Sequence, residues 1–474
     1  MIRVLYVGSG LCSARNLASE LPKYLLEKGV ELDVVVPHTQ GIDEGTGRLA
    51  ERLVLCKAQL DGEERAVAVL EGRSVDRIRT FYLDDECLRA PLSLVGEDGA
   101  RACAVYAQAV CDWIMKSPVA YDIVHCEGLE TALIPTLIRR KYSDNPRMSS
   151  VHSLVFVPGI EDKGLIDLSW VGRLGLPGDL STSEGMEFYG RMSILKGAYL
   201  HADAVCFANG DVKRRIENNR GKDIGMEGVL FNRLDRLHTI GLGLNVDVFN
   251  PETDRAIEAN FSASDISGKA RCRAALTKKY RLAKDRPVVT FIGDLNGDSG
   301  IDLVNDILDD LMDRRVNLVI VGTGVESYRN AVESWKQEFR GNIAWIEDKP
   351  CGEALRRILS ASDILLLPRK FECACRLHAM AMRYGCVVVA RTQGTVAHDI
   401  VRVKDIEHVN ADATGFSCSK YDSDAFFDAA MDALDLIETP AWAKICENAM
   451  RKIVSLSETA NDCRKIYDAL NPAP

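Results

Sequence analysis

The sequence lacks any apolar run approaching the ~20 residues that a bilayer-spanning helix requires, so no membrane-spanning helix is expected. It also lacks an excess of positive charge. Lys and Arg number 59 against 69 Asp and Glu, a net charge of −10. That balance gives no long-range pull on nucleic acid or on an anionic membrane, although a local basic site for an anionic ligand remains open. A secretory leader is missing as well. Met1-Ile2-Arg3 runs straight into Val4-Leu5-Tyr6-Val7, too short an apolar core, and no small-residue cleavage site follows. A cytoplasmic protein is the expectation. No internal repeat or low-complexity tract is evident.

Cysteine, by contrast, is plentiful: fifteen, an odd number. Without a leader, reduced thiols are expected rather than a disulfide framework. Cys126, Cys206 and Cys386 lie in apolar, strand-like runs and read as small core residues. The one close pair, Cys373-Ala374-Cys375, has no second Cys/His pair at ligand spacing, so no metal is assigned to it.

A chain of 474 residues exceeds what one core sustains, and two domains are expected. Short apolar strands alternate with helical periods, which argues for an α/β fold with parallel sheets and crossover helices. In the first half, strands are expected at 3–7, 31–36, 122–126, 149–154 and 204–208, helices at 14–28, 130–140 and 187–200, and a hairpin within 50–83. The same grammar restarts at Val288–Ile292. Strands are expected at 318–321, 343–346, 364–367 and 387–390, separated by helices at 299–313, 325–339, 353–360 and 375–384. Two Rossmann-like halves joined in the turn-rich stretch 250–270 is the reading, with the carboxyl ends of both sheets facing a central cleft.

Ligands in open α/β sheets bind at the carboxyl edge. The candidate stretches are therefore Gly8–Arg15, Glu127–Glu130, His152–Ser153, Gly293–Ser299, Gly322–Gly324 and Lys370–His378. Gly8-Ser9-Gly10 could carry phosphate on its amides at a helix start, but the third glycine of a dinucleotide fingerprint is absent, and a plain tight turn is the preferred reading. Val321-Gly322-Thr323-Gly324 is open to the same two readings, evenly balanced there because it follows a strand of the second domain.

Several long segments resemble the bacterial glycogen and plant starch synthases in order and spacing. They include Asp122-Ile123-Val124-His125-Cys126 with Thr131-Ala132-Leu133-Ile134-Pro135, and Gly185-Met186-Glu187-Phe188-Tyr189-Gly190-Arg191. Asp247-Val248-Phe249-Asn250-Pro251-Glu252-Thr253-Asp254, Phe371-Glu372, Arg383-Tyr384-Gly385 and Ala413-Thr414-Gly415-Phe416 continue the match. The resemblance implies the two-Rossmann-domain fold called GT-B. It implies a starch-synthase-like domain over 1–255 completed by a C-terminal helix within 456–474, and a nucleotide-sugar domain over 256–455. It further implies glucosyl transfer from a nucleotide sugar (ADP-glucose or UDP-glucose) to the 4-hydroxyl of an α-glucan, with retention and without a cofactor. Carried over position by position, His152 and Glu372 are the catalytic candidates; the donor-binding ones are Gly322 and Gly324, from their place after a strand, and Arg15, Lys370 and Arg376, cations that could stand in for the family's.

The departures from the family are many. Its Lys-Thr-Gly-Gly-Leu loop corresponds to Ser13-Ala14-Arg15-Asn16-Leu17, and its His-Asp-Trp to Glu127-Gly128-Leu129. Where the family sets an arginine and a lysine on the diphosphate, this chain has Asp294 and Ser299. At ~4 Å and an effective dielectric of ~20 a charge pair is worth about 4 kcal/mol, so reversing a sign there does more harm than deletion. Cations at Arg15, Lys370 or Arg376, or a metal between Asp294 and Asp298, could restore the field. Two functional readings follow: a synthase-type transferase with an altered donor site, or a catalytically degraded relative that binds glucan and partners an active synthase.

Overall fold

The computed structural model describes all residues except 1, 11–16, 41–48, 73–76, 158–162, 209, 219–224, 349–350, 371–375, 393, 453 and 473–474. It divides the chain into two units, Met1–Gly241 with Leu456–Pro474, and Leu242–Ser455. Both are α/β, each built on a mainly parallel sheet.

In the first unit the strands are β1 (Arg3–Val7), β2 (Glu31–Pro37), β3 (Ala50–Leu60), β4 (Glu63–Glu71), β5 (Arg79–Asp84), β6 (Ile123–Glu127), β7 (His152–Val157), β8 (Leu165–Ile166), β9 (Glu187–Phe188), β10 (Arg191–Ser193), β11 (Ala204–Phe207) and β12 (Leu237–Thr239). Nine of them form one sheet in the order β12-β11-β7-β6-β1-β2-β5-β4-β3. β1, β6 and β7 are apolar almost throughout and buried, as a parallel strand covered on both faces must be. The expected hairpin is β3–β4, turned on Asp61-Gly62, whose φ of 57° and 82° match a tight left-handed turn.

Several elements differ from the sequence reading. The helix expected at 14–28 is described only over Leu21–Glu27, and the strand expected at 149–154 is β7, shifted to His152–Val157. The helix expected at 187–200 begins only at Ile194, because Tyr189 and Gly190 (φ 50° and 77°) turn residues 187–193 into the hairpin β9–β10. The helix Gly96–Lys116 has no counterpart among the expected elements. Nearly every residue from Ala100 to Ile114 is buried, and half of those buried are alanine or cysteine.

The helix Leu456–Leu470 belongs to the first unit. Its Tyr467 hydroxyl lies 2.6 Å from His125 Nδ1, Arg464 donates to the carbonyls of Lys28 and Gly29, and Thr459 to that of Gly241.

The second unit carries β13 (Val288–Ile292), β14 (Asn317–Val321), β15 (Ile343–Ile346), β16 (Ile364–Leu367), β17 (Val387–Arg391) and β18 (Gly415–Cys418), all parallel. Their order, β15-β14-β13-β16-β17-β18, is the doubly wound arrangement. The helix expected over 299–313 is broken into Ile301–Asp306 and Leu308–Asp313. Residues 242–255 join this unit, not the first as expected. Arg383 holds the carbonyl of Phe249 and the side chain of Asn250, and Asp254 is buried between Arg356 and Tyr384.

Candidate functional site

Each sheet has a switch point where strand order reverses: between β1 and β6 in the first unit, and between β13 and β16 in the second. In the first, β1 ends on Gly8. A side chain there would place Cβ 2.7 Å from Ala18 Cβ, so this glycine serves close packing. The Tyr106 hydroxyl pins the turn, lying 2.8 Å from the Gly8 carbonyl and 2.9 Å from that of Val35. At the end of β6, Glu127 is only 4% exposed. It accepts from the Tyr6 hydroxyl at 3.0 Å and from the Leu17 amide at 2.5 Å. Glu127 thus acts as a buried clamp on the chain just beyond residues 11–16. Arg15 lies outside the described residues.

His152 is not where the sequence reading put it. It opens β7, paired with Ile123, while the carboxyl edge of these two strands is at Glu127 and Phe156. The expectation set it directly after a strand. The apolar run continues through Val157, which places His152 at the amino edge instead. His125, which is not among the sequence candidates, is fully enclosed. Its Nδ1 meets the Tyr467 hydroxyl, its ring packs 4.5 Å from Tyr6, and burial pushes its pKa down to about 3.

At the second switch point the backbone is drawn tight. Gly293 donates to Val321, Leu295 to Thr323 and Val325 to Leu295. A Cβ on Gly322 would stand 1.9 Å from the Gly293 carbonyl, and one on Gly324 2.1 Å from that of Leu295. These two glycines are thereby accounted for by backbone against backbone. Ser299, in the family's lysine place, is 4% exposed, with its hydroxyl donating to the Asn296 carbonyl. Arg376, expected to bind the donor, is buried and donates to the Gly243 carbonyl at 3.1 Å. Glu372, Cys373 and Cys375 lie outside the described residues.

Lys370 is exposed on the loop after β16, and its amide donates to the Asp298 carbonyl, which ties it to the altered 294–299 loop. Its Nζ lies 5.8 Å from the Tyr421 ring, and the Arg391 guanidinium 5.7 Å from the same ring. Arg391 donates to the carbonyls of Arg369 and Lys370, yet its buried Nε has no partner among the described residues. The Tyr421 hydroxyl is held by Asp302. Positive charge therefore stands at the ends of β16 and β17, beside Asp294 and Ser299. Sequence reasoning names Lys370 but misses Arg391, which ends a strand and is open to the same rule. His378 is spent on Asp399 at 2.7 Å; burial pushes that carboxyl up, but His378 and His398 together hold it low. No cluster of three or more metal-ligating side chains occurs among the described residues, and no described helix is long and apolar enough to cross a membrane.

Two such units with their strand orders define the GT-B class of glycosyltransferases. Residues 16–232 match the starch synthase catalytic domain model and residues 273–450 that of glycosyl transferases group 1. The glycogen synthase of Thermotoga petrophila is 28% identical over 95% of this chain and 94% of its own length, and that of Thermosipho africanus 29% over 96% and 95%. The catalytic domain of starch synthase IV from Arabidopsis thaliana, solved with ADP and acarbose, superposes with a TM-score of 0.88 at 21% identity, covering 99% of both chains. The chain belongs to the glycogen/starch synthase family.

Proposed function

We propose that this protein transfers a glucosyl group from a nucleotide sugar to the 4-hydroxyl of an α-glucan, with retention, through a donor site whose phosphate charge is met by Lys370 and Arg391. The observation that carries the reading is the pair of cations over Tyr421 at the second switch point, with one buried Arg391 donor unpartnered. As the bond from glucosyl C1 to the diphosphate breaks and C1 bonds to the acceptor oxygen, negative charge grows on the leaving group. Fixed cations lower that barrier. Glu372 is assigned to the sugar end of the site by family likeness, and ADP-glucose or UDP-glucose is the donor. A cytoplasmic location fits the described cysteines, all of them free thiols.

The test is incubation of purified protein with radiolabelled ADP-glucose or UDP-glucose plus glycogen. Label entering glycogen, lost in Lys370→Ala, supports the reading. A second reading, a glucan-binding partner of an active synthase, is favoured by Asp294 and by the burial of Ser299. It expects glycogen binding without incorporation.

A further inference from the structure

The amino edge of the second unit's sheet, opposite the switch-point loops, holds a cavity of about 980 Å³. It opens where Pro287 leads into β13 and Asp363 into β16, with the helix Gly268–Tyr280 along one wall. Six lysines and arginines line it against three acids, although the chain as a whole is acidic.

Two of the cations are committed. Lys269 is buried and donates to the carbonyls of Leu359, Ser360 and Tyr384 at 3.0–3.3 Å. Arg273 pairs with Asp363 at 2.8 Å, and that carboxylate also accepts the Val288 amide. The other four, Lys278, Arg281, Lys284 and Arg286, make no side-chain hydrogen bond or ion pair among the described residues. Asp285 and Glu438 are the remaining acids, which leaves two surplus positive charges.

The stretch carrying three of these cations is not loose. Leu282 donates to Thr277, Ala283 to Gly341 and Asn317 to Pro287, while the Asn317 side chain holds the Ala283 carbonyl. Arg281 and Asp285 both take left-handed backbone (φ 57°). Trp442 and Leu282 add apolar surface to the lining. A concave site of this size, with four cations that no acid or carbonyl engages among the described residues and with an apolar part, has the make-up of a small-molecule site.

We propose that this cavity binds a small organic phosphate, its dianion set among Arg281, Lys284 and Arg286 and its organic part against Trp442. The site is separate from the switch point and does not rest on the donor chemistry assigned there.

Phenyl phosphate and inorganic phosphate, titrated calorimetrically into the full chain at matched ionic strength, test it. Wild type should bind both, the phenyl ester more tightly. Arg281→Glu with Lys284→Glu should weaken phenyl phosphate by about 100-fold, one tenfold step for each cation removed. The neutral pair Arg281→Gln with Lys284→Gln should weaken it in the same direction while melting as wild type does, which separates a missing cation from a failure to fold. Lys370→Ala should keep wild-type affinity. No binding by wild type up to millimolar ligand overturns the proposal. So does unchanged binding in both double variants, or a loss confined to Lys370→Ala, which would place the anion at the other edge of the sheet.

Discussion

The two switch points have absorbed their departures from the family in opposite ways. In the first unit an acid, Glu127, has gone inside, where Tyr6 and the Leu17 amide satisfy it. It has become part of the fold. In the second unit the buried newcomer is neutral Ser299, and charge stands on exposed or half-buried loop ends, as Lys370, Arg391 and Asp294. Burial turns a charged substitution into a structural element. Exposure leaves it available to a ligand. The first edge should therefore respond to mutation in stability, the second in ligand affinity, except where its glycines are concerned.

Those glycines give the largest expected effect. Gly324→Ala drives a Cβ into the Leu295 carbonyl and should destabilise the protein by about 3 kcal/mol, lowering the melting temperature by roughly 10 °C. A neutral outcome in a thermal melt would break the view that these glycines are there for backbone contact. Next comes Glu127→Gln. Its amide nitrogen donates and cannot accept, so either the Leu17 amide or the Tyr6 hydroxyl loses its acceptor, and about 2 kcal/mol should be lost in urea unfolding.

His125 supplies the pH dependence of the first unit. Its folded pKa, near 3, lies below the ordinary 6.5, so the unfolded chain binds the extra proton first. Its neutral form is fully accommodated above the ordinary value, and stability falls as pH drops through that value toward the folded one. The slope reaches about 1.4 kcal/mol per pH unit. Urea midpoints measured across this window should fall less steeply in His125→Phe, and parallel curves would remove His125 from the account.

The smallest effects belong to the second edge. Lys370→Ala should weaken the nucleotide sugar about tenfold. Asp294→Asn should strengthen it by a smaller factor, read by the same calorimetric titration. Equal affinities in all three proteins would leave the second edge as inert as the first.

The sequence made the strands of the second half plain, because unbroken runs such as Val288–Ile292 and Ile364–Leu367 have no competing period. It hid the helix Gly96–Lys116, half of whose buried residues are alanine or cysteine rather than the leucines that mark a helical period elsewhere. The site was legible as a set of loops but not as a set of roles. His152 looked terminal only because the run beyond it was cut short, and Arg376 looked available because its partner, the Gly243 carbonyl, is 133 residues away. Arg391 was open to the strand-end rule, since it follows the expected strand at 387–390, but its place beside Lys370 comes from the pairing of β16 with β17.

The helix Leu456–Leu470 sets an order of events during synthesis. Its Tyr467 closes over His125 in the first unit, yet it leaves the ribosome only after the whole of Leu242–Ser455. The second unit is one uninterrupted stretch and can complete itself during translation. The first must wait with Tyr6, His125 and Cys206 short of their final cover until the last helix emerges. The half made first is finished last, and a nascent chain halted after Ser455 presents that uncovered face to chaperones.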